Sequence, residues 1–359
     1  MKKILIVGYI GFENFGDEAI LSVLIKNLLE TRFNKEDITV ISNNPAGTQN
    51  NHNINAISRW NPFGILGALF NADAIIFIGG LFQDKTSFQS FLYYFFFLLF
   101  ARIFQKEIVF YGCGIGPFKR KLTQVLFNYG TSKAYLLTVR DHFSTNYTPF
   151  REHTQVSCDP VWVIEPDFNA QTKITSINWK HPILGVSMKY DKAVRPHHLK
   201  SISEKLARIL NGMEDWQVLF IPCMPKEDLP VSYELHDLML DKSTHTDRTF
   251  LIENFSGFSV NEQAGILASC DVMLGMRYHS LLVPIANGKP VFGLITDPKI
   301  KSLLDFSNQV GVTFRDNVDE PWNYFWQNIG HSTDLAKQTQ DRASRLHRKN
   351  LELLKQLAL

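Results

Sequence analysis

The chain has 359 residues, of which 45% are hydrophobic and 20% are charged, and this composition excludes a disordered or collagen-like protein. Its 37 Lys and Arg against 35 Asp and Glu give a net charge of +2, too balanced for a general nucleic-acid binder, so no nucleic-acid partner is expected. A single hydrophobic core stops growing at about 250–300 residues, so the length favours two domains.

The N-terminus begins with two lysines and the apolar run 4–7, which ends at Gly8. The run is short and no small-residue cleavage site follows, so it predicts a first buried strand rather than a signal peptide. The four cysteines are far apart and form no CxxC pair, which argues against a zinc site and a disulfide framework. We therefore expect a cytoplasmic protein.

Short apolar runs alternate with helix-like segments along the chain, a pattern typical of parallel α/β domains. The predicted strands of the first half are residues 4–7, 38–41, 74–78, 108–111 and 137–139. The polar stretch 165–180 follows and is the best linker candidate.

A second alternation follows this stretch, with predicted strands at 183–187, 218–221, 272–274 and 291–294 and predicted helices at 199–210, 260–268 and 281–286. The last residues are charged and free of Gly and Pro, which predicts a C-terminal helix. We therefore expect two Rossmann-like α/β domains, 1–165 and 180–335, facing across a cleft, and a helix at 336–359. Ligands of such folds bind at the carboxyl ends of the strands.

The first strand is followed by a Gly-rich loop containing Gly11, Asn14, Gly16 and Asp17. Its spacing is neither GxGxxG nor the Walker pattern, and its acidic residues oppose phosphate at the start of the next helix. Two interpretations stay open. The loop is either a tight turn in which Asp17 caps the helix, or a site where Asn14 and Asp17 bind sugar hydroxyls.

Two further Gly-rich loops follow predicted strands of the same half. Three such loops on successive strand ends favour the lining of a ligand cleft. The residues singled out in these two loops are Gly79, Gly80, Gln83 and Asp84, and Gly114 and Gly116.

Basic residues follow three other strands. Arg140 ends one strand, where it either pairs with Asp141 or Asp159 or grips an anion through its guanidinium. Arg277 and His279 stand together at the mouth of an apolar helix, and Lys299 follows the next strand. A helix N-terminus with these side chains suits a small phosphate-bearing acid, and His279 is the candidate general acid/base.

In this order, the motifs resemble the polysaccharide pyruvyl transferase family, in particular its bacterial cell-wall anchoring branch, over about residues 3–310. The resemblance implies a glycosyltransferase-B-like fold and transfer of the enolpyruvyl carbons of phosphoenolpyruvate to a sugar as a cyclic ketal. It implies that Arg140, His279 and Lys299 surround phosphoenolpyruvate, with Arg277 beside them. The first two Gly-rich loops would face the acceptor, a saccharide or a lipid-linked saccharide, or the cleft. No metal or further cofactor is expected.

Two other functions are alternatives to this one. A nucleotide-sugar glycosyltransferase of the same fold would use an acidic residue of the second domain, such as Glu262, to bind ribose. A non-catalytic, membrane-peripheral glycolipid-binding protein is favoured by the aromatic run 88–104, which holds seven of the 28 Phe. This run is too short to span a bilayer. It is either buried in the first domain, or exposed for docking on a membrane or on a second copy of the chain.

Overall fold

The computed structural model describes residues 2–85, 87–132, 136–148 and 154–358. The chain folds into two compact units. Unit 1 comprises Met1–Val163 with Ala343–Leu359, and unit 2 comprises Ile164–Arg342. Each unit has a parallel sheet covered by helices, which confirms the predicted fold class of two Rossmann-like α/β units.

The described residues of unit 1 form a seven-stranded parallel sheet. Its strands are β1 (Ile4–Ile10), β2 (Ile38–Ser42), β3 (Asn55–Ser58), β4 (Ala74–Ile78), β5 (Glu107–Cys113), β6 (Leu136–Val139) and β7 (Thr154–Val156). Their order across the sheet is β3-β2-β1-β4-β5-β6-β7. β1, β4 and β5 are almost wholly buried, as strands covered on both faces should be.

The helices of unit 1 are α1 (Phe15–Glu30), α2 (Pro45–His52), α3 (Pro62–Asn71), α4 (Phe88–Ile103), α5 (Lys121–Thr131) and α6 (His142–Thr145). The first four begin where a polar side chain accepts a hydrogen bond from the first turn: Asn14, Asn44, Asn61 and Ser87. Right-handed crossovers place α3, α4 and α5 on one face of the sheet, and α4 contacts both of the others.

Unit 2 has a six-stranded parallel sheet among its described residues. Its strands are β8 (Ile183–Ser187), β9 (Gln217–Phe220), β10 (Thr249–Leu251), β11 (Val272–Gly275), β12 (Val291–Ile295) and β13 (Val310–Thr313), in the order β10-β9-β8-β11-β12-β13. Its helices are α7 (Pro196–Gly212), α8 (Pro225–Leu240), α9 (Val260–Ala268), α10 (Tyr278–Ala286), α11 (Pro298–Ser307), α12 (Asp319–Gln327) and α13 (Ile329–Leu357), the end of which belongs to unit 1.

In both sheets the connections reverse direction beside the first strand, so β1 and β4 are neighbours in unit 1 and β8 and β11 in unit 2. At such a switch point the loops after the two strands diverge and leave a crevice at their carboxyl ends, where ligands of this fold class bind. The candidate ligand-binding loops are therefore those after β1 and β4, and those after β8 and β11.

Two segments differ from the sequence prediction. The stretch predicted as a linker, 165–180, folds onto unit 2, where a 3-10 helix at Phe168–Lys173 contacts α9. Gly265 of α9 makes this approach possible, because a Cβ there would lie 2.0 Å from the carbonyl oxygen of Asp167. The C-terminal helix α13 begins at Ile329, seven residues before the predicted start.

The aromatic helix α4 is buried on one side only. Its inner side packs into the core of unit 1 with Phe91, Tyr94, Phe95, Phe97, Leu98, Phe100 and Ala101. Its outer side exposes Leu92, Phe96 and Ile103. No helix among the described residues has the length and apolar character needed to cross a bilayer. The aromatic run is therefore buried on one side and exposed on the other, and its docking on a membrane or on a second copy stays a prediction.

The end of α13 contributes a buried histidine to unit 1. His347 is 4% exposed, and its Nε2 lies 3.1 Å from the amide nitrogen of Asn27, which also donates to the Tyr111 hydroxyl at 2.6 Å. The Asn27 amide nitrogen can only donate, so Nε2 accepts and the ring is neutral. Burial lowers the pKa of His347 from 6.5 to about 4.

This shift predicts acid sensitivity of the fold. His347 protonates near pH 6.5 in the unfolded chain and only near pH 4 in the folded one. The stabilisation that neutral His347 gives the fold is therefore complete above pH 6.5. As the pH falls to 4, the unfolding free energy decreases by about 3 kcal/mol. Urea unfolding at pH 7 and pH 4 measures this decrease in unfolding free energy. His347→Gln, which keeps an acceptor, should show correspondingly less pH dependence, while the exposed His331→Gln should behave as the parent does. Equal pH dependence in the parent and His347→Gln would contradict the assignment.

Candidate active site

Two adjacent strands of unit 2 deliver the predicted acid/base and a lysine to the same sheet edge. β11 ends at Gly275 and α10 begins at Tyr278, so His279 is the second residue of that helix. β12 pairs with β11 in parallel, and the helix that follows it carries Lys299 at its second position. Parallel neighbours end at one edge, so both side chains belong to the first helical turns there. Both residues are half-buried.

The start of α10 packs closely on β11 and can bind an anion. Arg277 occupies its N-cap position and makes no capping hydrogen bond through its side chain. The N-terminus of a helix carries a positive partial charge. Gly275 lets the helix pack tightly on the strand, since a Cβ there would lie 2.9 Å from Ser280 Oγ. The ring of His279 stands edge-on to Tyr278 with centroids 5.0 Å apart. This end of α10 therefore favours an anion beside the imidazole.

The guanidinium of Arg277 is held by two acidic side chains of α8. Its Nε lies 3.1 and 3.2 Å from the two carboxylate oxygens of Asp228, and its Nη2 lies 2.8 Å from Glu227 Oε2. Asp228 is fully buried and also accepts the backbone N–H of Met224 at 2.9 Å, which fixes the start of α8. Neither carboxylate was predicted from the sequence. The feature that could have indicated them is their position in the first turn of a helix that begins at Pro225.

Burial lowers the pKa of Arg277, but Asp228 and Glu227 raise it by more, so the net pKa lies above its ordinary value. The guanidinium is therefore permanently charged and locked in place. Its Nη1 makes no hydrogen bond to the described residues, and the side chain is 18% exposed. Nε and Nη2 of Arg277 thus bind acidic side chains of the protein, and Nη1 can bind an anion.

In unit 1 the loops after β1 and β4 meet at the switch point. Gly11 and Gly79 have φ values of +81° and +77°, which side chains rarely adopt. The cap of α1 is Asn14, which accepts from Gly16 N–H, and not Asp17 as one sequence interpretation had it. Asn14 also donates to the Asp17 carboxylate, whose other oxygen would lie 2.7 Å from a Cβ on Gly79. The structure thus brings Asn14, Asp17 and Gly79 together.

An arginine surrounded by aromatic rings adjoins these loops and was not predicted. Arg59, just after β3, lies 5.0 Å from the ring centroid of Phe12 and 4.4 Å from that of Tyr93. Burial raises the pKa of the neighbouring Tyr94, which also feels the charges of Arg59 and Asp17. Aromatic faces beside a few polar groups are typical of small-molecule sites. The sequence signal was Arg59-Trp60 directly after a strand.

The other residues predicted on the β4 loop have different surroundings. Asp84 is buried and accepts from the backbone N–H of Arg120 at 3.0 Å and the hydroxyl of Thr123 at 2.8 Å, so it fixes the start of α5. Burial raises its pKa, but these hydrogen bonds and that from Lys119 N–H more than offset the rise and leave it lowered. Asp84 positions the loop by holding α5. Gly80 and Gln83 lie half-buried on the same loop.

Arg140 is buried in an ion pair. Its Nη1 donates to Asp159 at 2.9 Å and its Nε lies 3.5 Å from Asp141, so both pairings that the sequence offered are present. Gly114 leaves room for this guanidinium, since a Cβ there would lie 2.8 Å from Nε. Gly116 similarly makes room for a tyrosine ring. The Arg140 side chain is only 4% exposed, so an anion reaches it only if these contacts open.

Glu262, the acidic candidate for ribose binding, forms a capping box with Ser259 at the start of α9. It accepts the N–H of Ser259 at 2.9 Å, the Ser259 hydroxyl accepts the N–H of Glu262 at 3.3 Å, and the second carboxylate oxygen of Glu262 contacts Lys173. These contacts lower the pKa of Glu262, the Lys173 hydrogen bond foremost. Its carboxylate is therefore occupied by the protein.

Comparisons with solved structures agree on the fold. The chain is similar in structure to S. aureus MnaA in a UDP co-structure (TM-score 0.63, 14% identity, 95% of this chain and 91% of that chain covered). It is also similar to Anabaena HepE in complex with UDP-glucose (TM-score 0.61, 13% identity, 100% of both chains) and to UDP-GlcNAc 2-epimerase from Methanocaldococcus jannaschii (TM-score 0.62, 14% identity, 92% of both). These neighbours confirm the glycosyltransferase-B-like fold and, at such identities, show the fold alone.

Among curated protein sequences, none matches this chain significantly. A family model does match: that of polysaccharide pyruvyl transferase covers residues 14–298, well over half of the chain. The matched region runs from Asn14 of the first loop to Pro298, one residue before Lys299. The chain therefore belongs to the polysaccharide pyruvyl transferase family.

Proposed function

We propose that the chain transfers the enolpyruvyl carbons of phosphoenolpyruvate to a saccharide of a cell-surface polysaccharide or its lipid-linked precursor, forming a pyruvate ketal and releasing phosphate. The observation that carries the proposal is the placement of His279 and Lys299 on the first turns of helices that follow adjacent strands, with Arg277 fixed beside them, in a chain of this family.

Phosphoenolpyruvate carries a carboxylate and a phosphate, so its site needs fixed positive charge. On unit 2 this charge comes from Lys299, the N-terminus of α10 and the Nη1 of Arg277, which Asp228 and Glu227 leave unused. The acidic partners hold the guanidinium in one orientation, so less entropy is lost when an anion binds. Arg277 and Lys299 then stabilise the charge of the departing phosphate.

His279 moves the protons. It donates one to the methylene carbon of phosphoenolpyruvate, which makes the neighbouring carbon electrophilic, and a sugar hydroxyl attacks that carbon. The C–O bond to phosphate breaks, and the phosphate leaves with the proton of the first hydroxyl. A second hydroxyl closes the ketal ring and returns its proton to His279. Histidine suits such a cycle because one imidazole can act as acid and then as base.

The acceptor is assigned to the switch point of unit 1. There Asn14, Asp17 and the backbone of Gly79 supply hydrogen-bonding groups, and Phe12 and Tyr93 supply aromatic faces around Arg59. Polar groups of this kind beside aromatic faces suit the hydroxyls and the apolar face of a sugar ring. Arg140, buried with Asp141 and Asp159, is given a positioning role in which it holds the Gly114 loop.

A nucleotide-sugar glycosyltransferase is the weaker candidate. The acidic residue weighed for ribose binding, Glu262, is engaged with Ser259 and Lys173. The glycolipid-binding alternative without catalysis gives no role to the imidazole beside Arg277 and Lys299.

The direct test supplies phosphoenolpyruvate and a panel of saccharide acceptors and measures phosphate release and the mass of the acceptor. We expect acceptor-dependent phosphate release, with an acceptor that gains a pyruvate ketal. A matched incubation replaces phosphoenolpyruvate with UDP-sugars and should give no transfer. Turnover of a UDP-sugar, with no acceptor-dependent phosphate release from phosphoenolpyruvate across the panel, would overturn the proposal.

A further inference from the structure

The outer surface of unit 1 over α3, α4 and α5 is unusually apolar. Of the large hydrophobic side chains exposed in the described part of the chain, eleven of sixteen lie between residues 60 and 129. The helical ones form a stripe along each helix, at spacings of three, four or seven residues, which puts them on one side. They are Phe63, Leu66 and Phe70 on α3, Leu92, Phe96 and Ile103 on α4, and Leu122, Val125 and Tyr129 on α5. We name these nine side chains the apolar face.

The three stripes are joined into one surface. Phe70 of α3 meets the rings of Phe100 and Phe104 at centroid distances of 5.1 Å, which connects α3 to α4. Arg102 at the end of α4 lies 4.1 Å above the ring of Tyr129, which connects α4 to α5. The inner sides of the same helices fill the core of unit 1, so the apolar face cannot turn inward. A contiguous exposed apolar surface on a folded protein typically marks an interaction site.

Within the chain segments that carry the apolar face, the charged residues are of one sign. Segments 59–72, 85–106 and 117–132, which carry the three helices and their ends, contain no Asp or Glu and seven Lys or Arg. The basic residues are Arg59, Lys85, Arg102, Lys106, Lys119, Arg120 and Lys121. An apolar face bordered by basic side chains matches a bilayer with anionic headgroups, where rings enter the acyl boundary and cations meet phosphates. A second copy of the same face would instead oppose like charges.

We propose that the apolar face docks unit 1 on the surface of a bilayer containing anionic lipids. The N-terminal ends of α3 and α4 adjoin the switch point of unit 1, because Arg59 contacts both Tyr93 of α4 and Phe12 of the β1 loop. A docked unit 1 therefore holds the assigned acceptor loops next to the headgroups. The use of this docking, to present a lipid-linked saccharide to the loops, rests on the proposed pyruvyl transfer; the docking itself does not.

The test is vesicle co-sedimentation of the full chain without phosphoenolpyruvate or acceptor, so that its failure is independent of the proposed reaction. We expect binding to vesicles of phosphatidylcholine with phosphatidylglycerol, weaker binding to phosphatidylcholine alone, and loss of the difference in 1 M NaCl, where the screening length is only about 3 Å. Lys121→Glu should weaken binding to the anionic vesicles, and Lys180→Glu of unit 2 should not.

A matched pair of double variants tests the contribution of the apolar side chains to vesicle binding. Phe63→Ser with Phe96→Ser removes two rings that are 85% and 44% exposed and should lower vesicle binding by about tenfold or more. Phe168→Ser with Tyr324→Ser removes two rings of unit 2 that are 50% and 55% exposed and should leave binding unchanged. Equal binding by the two double variants, or no vesicle binding by the parent, would overturn the proposal. A dimer in light scattering that Phe63→Ser with Phe96→Ser dissolves, without vesicle binding, would assign the face to self-association instead.

Discussion

Replacing His279 with alanine is expected to lower the rate of pyruvyl transfer by about 10²–10⁴-fold, the range in which a positioned acid/base contributes. This corresponds to about 3–5 kcal/mol of activation free energy. The fold should survive, because the ring is half-buried on the first turn of α10 and its neighbour Ser280 keeps the hydrogen bond that its hydroxyl donates to the Arg277 carbonyl at 2.8 Å. The measurement is acceptor-dependent phosphate release at saturating phosphoenolpyruvate, with urea unfolding of the same preparation.

Two comparisons separate proton transfer from a structural effect. His331→Ala, at an exposed histidine of α13, should keep the parent rate. Added imidazole should restore part of the activity of His279→Ala, because a small base can enter the vacated space, while it should leave the parent unchanged. A parent-like rate in His279→Ala would return this residue to a packing role and leave the protons to another group.

The interior strands were predictable from the sequence, and the edge strands were not. Residues 74–78 and 183–186 are continuous apolar runs because strands buried on both faces have no solvent side. The predicted strands 74–78 and 183–187 both match the observed β4 and β8. β3 and β10 lie at sheet edges, where none of their residues is fully buried, so they lack such a run. Apolar periodicity therefore located the centre of each sheet and missed part of its border.

The position of the candidate site could be predicted, but not the contacts within it. His279 and Lys299 each follow a recognisable strand, and the order of a doubly wound sheet brings such strand ends to one edge. The partner of Arg277 lies 49 residues earlier, on a helix that the strand pattern did not reveal. A pairing over that distance depends on the tertiary fold, which brings the first turn of α8 to the start of α10 and which local sequence does not specify.

The exposure of the aromatic run could not be predicted for a related reason. A helix that is apolar all round has no polar side to mark its solvent face. In the structure, the sheet and the neighbouring helices α3 and α5 decide which rings of α4 are buried, and these elements come from other parts of the chain. The absence of acidic residues from segments 59–72, 85–106 and 117–132 was readable in the sequence, and it becomes informative once those segments are known to share one face.

The second large effect concerns the buried partner of Arg277. Asp228→Ala should cost about 3–5 kcal/mol of unfolding free energy, because it leaves a mostly buried guanidinium without its main carboxylate and α8 without the acceptor of Met224 N–H. Glu227→Ala is the matched control on the same guanidinium. Its side chain is 54% exposed, so its loss should cost less than about 1 kcal/mol. Urea unfolding of both variants at pH 7 measures the difference.

A double-mutant cycle separates the energy of the ion pair from the stability that is lost at the start of α8. Arg277→Ala combined with Asp228→Ala removes both charges, so the double variant should be more stable than the sum of the single losses predicts, by about 2 kcal/mol or more. A third variant, Asp228→Asn, tests binding of phosphoenolpyruvate. It keeps the shape of the side chain but removes the charge that holds the guanidinium. KM for phosphoenolpyruvate should rise, because Nη1 is no longer held toward the anion. Additive losses in the cycle would show that Asp228 acts through α8 alone, and an unchanged KM would remove Arg277 from the phosphoenolpyruvate site.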